Sequence, residues 1–136
     1  MRVFIILLFC SSIFFSQQNL DSLIQSISTL PDTSQILILT DYTWEYRSKD
    51  PNSALKSGML AANIAESINN KKLQAKALNL TGVVYRNLGQ FDNARRNYFS
   101  ALKLAEETKD SIQIAFSYNN IGGIYRQEGN LVLALE

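Results

Sequence analysis

The 136-residue chain contains no histidine and one cysteine, Cys10. Without histidine there is no imidazole general base, no Ser-His or Cys-His nucleophile and no His-ligated metal. Outside Cys10 there is no thiol for a disulfide, a zinc site or covalent catalysis. A surplus of one sign of charge is also missing: 13 Lys and Arg oppose 12 Asp and Glu, a formal net charge of +1. That leaves little field to draw the chain to nucleic acid or an anionic surface. Disorder is excluded too, because 46% of residues are apolar and only 18% charged. Carboxylates, lysines, hydroxyls and amides remain, so no cofactor and no metal is expected.

A long apolar run occurs once, and it is short for a membrane span. After Met1-Arg2, residues 3–15 are apolar except for Ser11 and Ser12, and Ser16-Gln17-Gln18-Asn19 turns polar. A positive start, a brief apolar stretch and a small residue before a polar exit are the parts of a secretory signal peptide. Thirteen residues fall short of the about 20 that a spanning helix needs. Residues 1–16 are therefore expected to be a cleaved signal, with export across the inner membrane to the periplasm or its face. A lipidated Cys10 ranks second, since Leu7-Leu8-Phe9 lacks a small residue beside it, and a retained anchor ranks third.

Beyond this segment the chain repeats. Gly82, Tyr85, Arg86, Gly89 and Ala94 recur as Gly122, Tyr125, Arg126, Gly129 and Ala134, always 40 residues on. Forty residues back from Ala94 and Ala101 stand Ala54 and Ala61, and Tyr46-Arg47 precedes Tyr85-Arg86 by 39. Each unit reads as two helices. Apolar residues at Leu73, Ala77, Leu80, Val84 and Leu88 keep helical spacing over 72–88, and Gly89 stops that helix. A second helix over 91–108 carries Ala94, Tyr98, Ala101, Leu102 and Ala105. Asp110-Ser111 opens the next helix and Gly129 closes it; Asp50-Pro51 opens one that Asn69-Asn70 ends. A short leading helix is expected within 17–31, cut off by Pro31, with the next initiated by 32–34. No strand pattern occurs. The units are about 32–70, 71–109 and 110–136, the last incomplete.

These residues resemble the tetratricopeptide repeat family. Its signature is Trp-x-x-Leu-Gly-x-x-Tyr followed by Ala-x-x-x-Phe and a terminal proline, on a 34-residue helix-turn-helix unit. Leu78-x-x-Thr81-Gly82-x-x-Tyr85 and Tyr118-x-x-Ile121-Gly122-x-x-Tyr125 fill the first run, and Ala94-x-x-x-Tyr98 the second. The departures are the longer period, no terminal proline (Glu106 stands near its place) and Gly58 where unit one should have an aromatic. The resemblance covers residues 32–136 and implies an all-α solenoid, a right-handed superhelix of the long-period variety with a degenerate first unit. Gly82, Gly122, Ala54, Ala94, Ala134, Tyr85, Tyr125 and Tyr98 are then parts of the core.

In such arrays the first helix of each pair lines a concave groove for a protein or peptide. The resemblance places Thr40, Asn79 and Asn119 in one row there. Further rows are Asp41, Leu80 and Asn120; Trp44, Val83 and Gly123; and Arg47, Arg86 and Arg126. Amides at Asn79, Asn119 and Asn120 suit a peptide backbone, or are simply solvated. The three arginines form a ladder suited to carboxylates; the plainer alternative is that each favours the end of its helix or pairs with Glu45, Glu128 or Asp92. Trp44, the only tryptophan, reads as core, sealing the first unit against the leading helix, with an exposed anchor as the alternative. Catalysis is not expected: Glu106 and Glu107 point different ways, Gly122-Gly123 lies within a helix, and Lys71-Lys72 is a solvated helix start.

The function expected is a non-catalytic, exported binding module with a protein or peptide partner. By arrangement it resembles the N-terminal input region of bacterial membrane-bound signalling proteins, histidine kinases among them. Membrane association would come only through sequence downstream. A free-standing periplasmic scaffold or assembly factor is the alternative, and a substrate-recruiting fragment of a larger enzyme the third. Glu136 falls mid-helix in unit three, and Leu131 to Leu135 are apolar, so further repeats are expected to follow. These residues alone are expected to be marginally stable, melting below about 60 °C.

Overall fold

The structure, a computed structural model, describes residues 19–130. The expected signal segment 1–16, Cys10 and the apolar run 131–135 lie outside the described residues. Six helices follow one another: α1 (Leu20–Ile27), α2 (Asp32–Tyr46), α3 (Pro51–Ser67), α4 (Lys71–Asn87), α5 (Phe91–Glu107) and α6 (Ser111–Gln127). There is no strand among the described residues.

Local chemistry sets the boundaries. The side chains of Asn19, Asp50, Asn70 and Asp110 accept the free amides of Asp21, Ser53, Leu73 and Gln113 at the starts of α1, α3, α4 and α6. Pro51 adds a ring already set for the first turn of α3. Two starts lack such a bond. Pro31, not a residue of 32–34, takes the cap position of α2, and Gln90 takes that of α5. At four helix ends the chain reverses through one left-handed residue: Asn69 (φ 54°), Gly89 (φ 71°), Lys109 (φ 53°) and Gly129 (φ 77°). Each closes in the same double-bonded way. At Gly89 its amide donates to the Arg86 carbonyl at 3.0 Å, and Gln90 donates to the Tyr85 carbonyl at 2.9 Å. Tyr46 stands one residue closer to Ala54 than Tyr85 does to Ala94, and the α2–α3 turn closes without a left-handed residue, Asp50 N–H reaching the Tyr46 carbonyl at 2.9 Å.

Three apolar clusters run the length of the array. Leu20, Leu23 and Ile27 of α1 bury against Ile36, Leu39 and Tyr42 of α2 and the alanine face of α3. Ala75, Ala101 and Ala105 join α4 to α5, and Val83, Tyr98, Leu102, Ile121 and Ile124 join α4, α5 and α6. The small residues are there for closeness. A Cβ on Gly82 would stand 2.6 Å from Tyr98 Cε1, so the ring of α5 lies directly on the bare backbone of α4. Gly58, expected to mark degeneracy, completes an inverted version of the same fit. Gly58 on α3 is the bare residue, and a Cβ there would meet Thr81 Oγ1 at 2.4 Å and Thr43 Cγ2 at 3.2 Å.

Candidate functional site

Helices α2 and α4 pack side by side, as do α4 and α6, whereas α3 and α5 stand apart over α4. Closer spacing of the first helices curves the array with α2, α4 and α6 on its inner side. On the outer side the gap is an open slot lined by Met59, Ala62 and Asn63 of α3, Leu78, Thr81 and Tyr85 of α4, and Asn97 of α5.

The three asparagines proposed for the groove part company. Asn79 is 1% exposed: its amide donates to Gln113 Oε1 at 2.9 Å and its oxygen accepts from Ser117 Oγ at 2.9 Å. Asn120 is also buried, its amide donating to the Phe116 carbonyl at 2.8 Å and its oxygen accepting from Arg86 Nη1 at 2.8 Å. Both belong to the seam between α4 and α6, and neither offers its amide to solvent. Asn119 is exposed and its side chain makes no hydrogen bond among the described residues. Spacing alone did not separate them, because the two buried amides are fixed by Gln113, Ser117 and Arg86 across the seam.

The arginine row also divides. Arg47 folds back on its own helix, donating to the Trp44 carbonyl with its guanidinium carbon 3.7 Å above the indole. Trp44 is 45% exposed, so it does not seal the first unit; the leading helix is covered by Ile36, Leu39 and Tyr42 instead. Leu37, one helical face-repeat before Trp44 on α2, is exposed as well, a residue the sequence reading passed over. Arg86 and Arg126 stay together at the ends of α4 and α6. A Cβ on Gly123 would lie 3.6 Å from Arg86 Nη1 and 3.9 Å from Arg126 Nη2.

The carboxylates offered as arginine partners are otherwise engaged. Glu45 pairs with Lys49, whose hydrogen bond holds that carboxyl below its ordinary range. Asp92 and Glu128 both pair with Arg95, Glu128 at 2.6 Å. Lys71 and Glu107 tie the start of α4 to the end of α5 at 2.8 Å. Beneath Arg86 lies the Tyr98 phenol, fully buried and without a hydrogen-bond partner among the described residues. Burial pushes its pKa up to about 12, against a smaller downward pull from the Arg86 charge.

Among the described residues, no group of three or more Asp, Glu, His or Cys is placed to hold a metal, and no helix is long and apolar enough to cross a membrane. Residues 73–136 match the tetratricopeptide repeat family. The crystal structure of the tetratricopeptide repeat domain of Arabidopsis FLU aligns with a TM-score of 0.70 at 19% identity, over 76% of this chain and 88% of that one. No curated protein matches the chain.

Proposed function

We propose, from a chain whose residues 73–136 match the tetratricopeptide repeat family and whose fold is that of a tetratricopeptide repeat domain, that it is a non-catalytic module binding a protein or peptide on its inner face. Solenoids of this kind present extended concave surfaces to their partners. The observation that carries the reading is the inner face of α2, where Leu37 and Trp44 are both exposed and Arg47 lies flat on the indole. A large aromatic held rigid by a stacked guanidinium is a low-entropy anchor for a partner's apolar side chain. Because Trp44 is the only tryptophan, its fluorescence reports occupancy directly. Peptides selected from a random library on the full chain should perturb that fluorescence saturably. Leu37→Ser should weaken them about tenfold or more, as loss of a buried apolar contact implies. Selected peptides that ignore Leu37→Ser yet depend on Met59 place binding in the outer slot and reject the inner face.

The array reads as the long-period variety, and residues 1–16 as a cleaved signal that exports it to the periplasm or its face. The support is the charged start, short apolar run and polar exit of that segment. The chain then serves as the sensory or interaction part of a larger signalling protein. Mass spectrometry of the chain from its native host should give a mature N-terminus at Gln17; an intact Met1 refutes cleavage. Sequencing the reading frame past the Glu136 codon separates the alternatives. Further repeats leading to a membrane span support the signalling role, and a stop after capping repeats supports a free-standing scaffold. A catalytic region supports the substrate-recruiting reading.

A further inference from the structure

The outer slot is a cavity of about 190 Å³ between α3 and α5, which stand apart over α4. Short residues leave it open. Ala62 and Thr81 line it, with Met59, Leu78 and Tyr85 around them and Asn97 on the α5 side. Met59 is 51% exposed, although the solvent face of a packed helix is the place for polar residues. Forty residues on, Phe99 is 48% exposed on α5, so a large apolar side chain recurs on this face in register. The polar atoms of the slot are only partly spent. Thr81 Oγ1 donates to the Ala77 carbonyl at 2.8 Å, and the Asn97 amide donates to the Asn93 carbonyl at 2.9 Å. The Asn63 side chain and the Tyr85 hydroxyl make no hydrogen bond among the described residues.

Charge of one sign borders one end of this slot. Lys56 stands one turn before Met59 on α3, and Arg96, forty residues on from Lys56, stands beside Asn97 on α5. Both are exposed and neither forms an ion pair among the described residues; Arg96 is held by the neutral Asn93 at 2.6 Å. The acids that could answer them are engaged or stand elsewhere. Asp50 caps α3, Asp92 pairs with Arg95, and Glu66 lies a turn beyond Asn63 at the other end of the slot.

We propose that the outer slot takes one bulky apolar side chain from an acidic segment of a partner protein, with the acidic flank toward Lys56 and Arg96. Apolar burial holds the side chain, while the exposed cations select by charge at a distance and form no fixed pairing. Asn63 and Tyr85 offer an amide and a hydroxyl to the backbone around that residue. The site lies between the second helices, away from Leu37 and Trp44, and stands or falls separately from the inner face. Its exposed wall is the flexible Met59 side chain, so it binds more weakly than the rigid indole of the inner face.

The test is an NMR titration of the full chain, labelled at nitrogen and at the methionine methyls, with Trp44 fluorescence followed alongside. The probes are a capped peptide of one phenylalanine preceded by glutamates, the same peptide with alanine for phenylalanine, and the same with glutamine for glutamate. The first should shift the Met59 methyl and the Asn63 and Asn97 side-chain amides saturably while Trp44 stays silent. Alanine for phenylalanine should weaken binding about tenfold or more, as the loss of one buried aromatic side chain implies. Glutamine for glutamate should weaken it about threefold at low salt and hardly at all at about 0.5 M salt, the behaviour of exposed charges. Met59→Ser, at an exposed position, should weaken it about fivefold. Asn97→Leu fills the slot and should abolish the shift at Met59 with helical circular dichroism unchanged; if that variant fails to fold, Met59→Ser decides alone. No shift at Met59, equal binding of the alanine peptide, or a glutamine peptide as tight as the glutamate one at low salt overturns the proposal. So does binding that survives Met59→Ser undiminished. A response of Trp44 in place of Met59 puts the peptide on the inner face and overturns the slot. A Met59 methyl that moves with protein concentration alone makes a second copy the occupant and overturns the acidic partner.

Discussion

Tyr98 and Gly82 are one fit seen from two helices. The ring has no room to retreat, since three of its carbons stand within 3.0 Å of the place a Gly82 Cβ would take. Gly82→Ala is therefore expected to destabilise the chain by about 2 kcal/mol, the usual cost of overpacking, read as a lower urea midpoint at unchanged slope. The phenol oxygen makes the opposite prediction. It is buried without a partner among the described residues, so Tyr98→Phe should be neutral or stabilise by up to about 1 kcal/mol at neutral pH. Its pKa, raised from 10.0 to about 12, fixes the pH dependence. The contribution is complete below pH 10 and is lost as pH climbs toward 12, because only the unfolded chain ionises readily in that window. Tyr98→Phe should reduce the fall in unfolding free energy across it by roughly 2–3 kcal/mol. Tyr98 and Gly82 were legible as core because both lie on a repeated motif. The inverted fit at Gly58 was not, since it is made with Thr43 of α2 and Thr81 of α4 and exists only across three helices.

Among the elements, the turns offer the sharpest contrasts. Lys109 adopts the left-handed conformation that Gly89 and Gly129 occupy freely. A side chain there costs more than glycine's added freedom in the unfolded chain, so Lys109→Gly should stabilise by about 0.5–1 kcal/mol. Asn69, which tolerates the same geometry better, should gain less from the same change. At the start of α5, Gln90 makes no side-chain cap bond although Asn70 and Asp110 do at α4 and α6. Gln90→Asn is expected to add about 1 kcal/mol, measured as a rise in thermal midpoint. Helix positions were readable to within a residue or two wherever a capping side chain or a glycine stood at the boundary. The α2 start at Asp32 fell where 32–34 pointed, although no side chain caps it and Pro31 takes the cap position.

Across the whole molecule the joins differ in kind. The α1–α2–α3 end is closed by aliphatic and alanine contacts, while α4 and α6 share a polar seam of Asn79, Gln113, Ser117, Arg86 and Asn120. Solenoid stability is a sum of unit and interface contributions, so weakening one join loosens mainly what lies beyond it. Asn79→Ala leaves Ser117 and Gln113 without their partner and should cost about 2 kcal/mol. Hydrogen exchange should then show protection falling in α6 and holding in α1 and α2. The inner face itself was readable as a set of positions, since repeat spacing assigns each residue a place on its helix. Which of them reach solvent was not: the same position that buries Val83 leaves Trp44 exposed, a difference set by the size of one side chain and the neighbour that covers it.

The opposed fits at Gly58 and Gly82 bear on how such an array is remodelled. Exchanging α2 for α4 alone would set Thr43 against Tyr98 in one pair and Gly82 against Gly58 in the other, crowding the first and hollowing the second. Bulk and bareness are inherited as a couple. Recombination that respects the hairpin keeps Thr43 with Gly58 and Gly82 with Tyr98, leaving only the Gly58 contact with Thr81 of the next hairpin to be matched, while a crossover between the two helices of a hairpin breaks a fit at once.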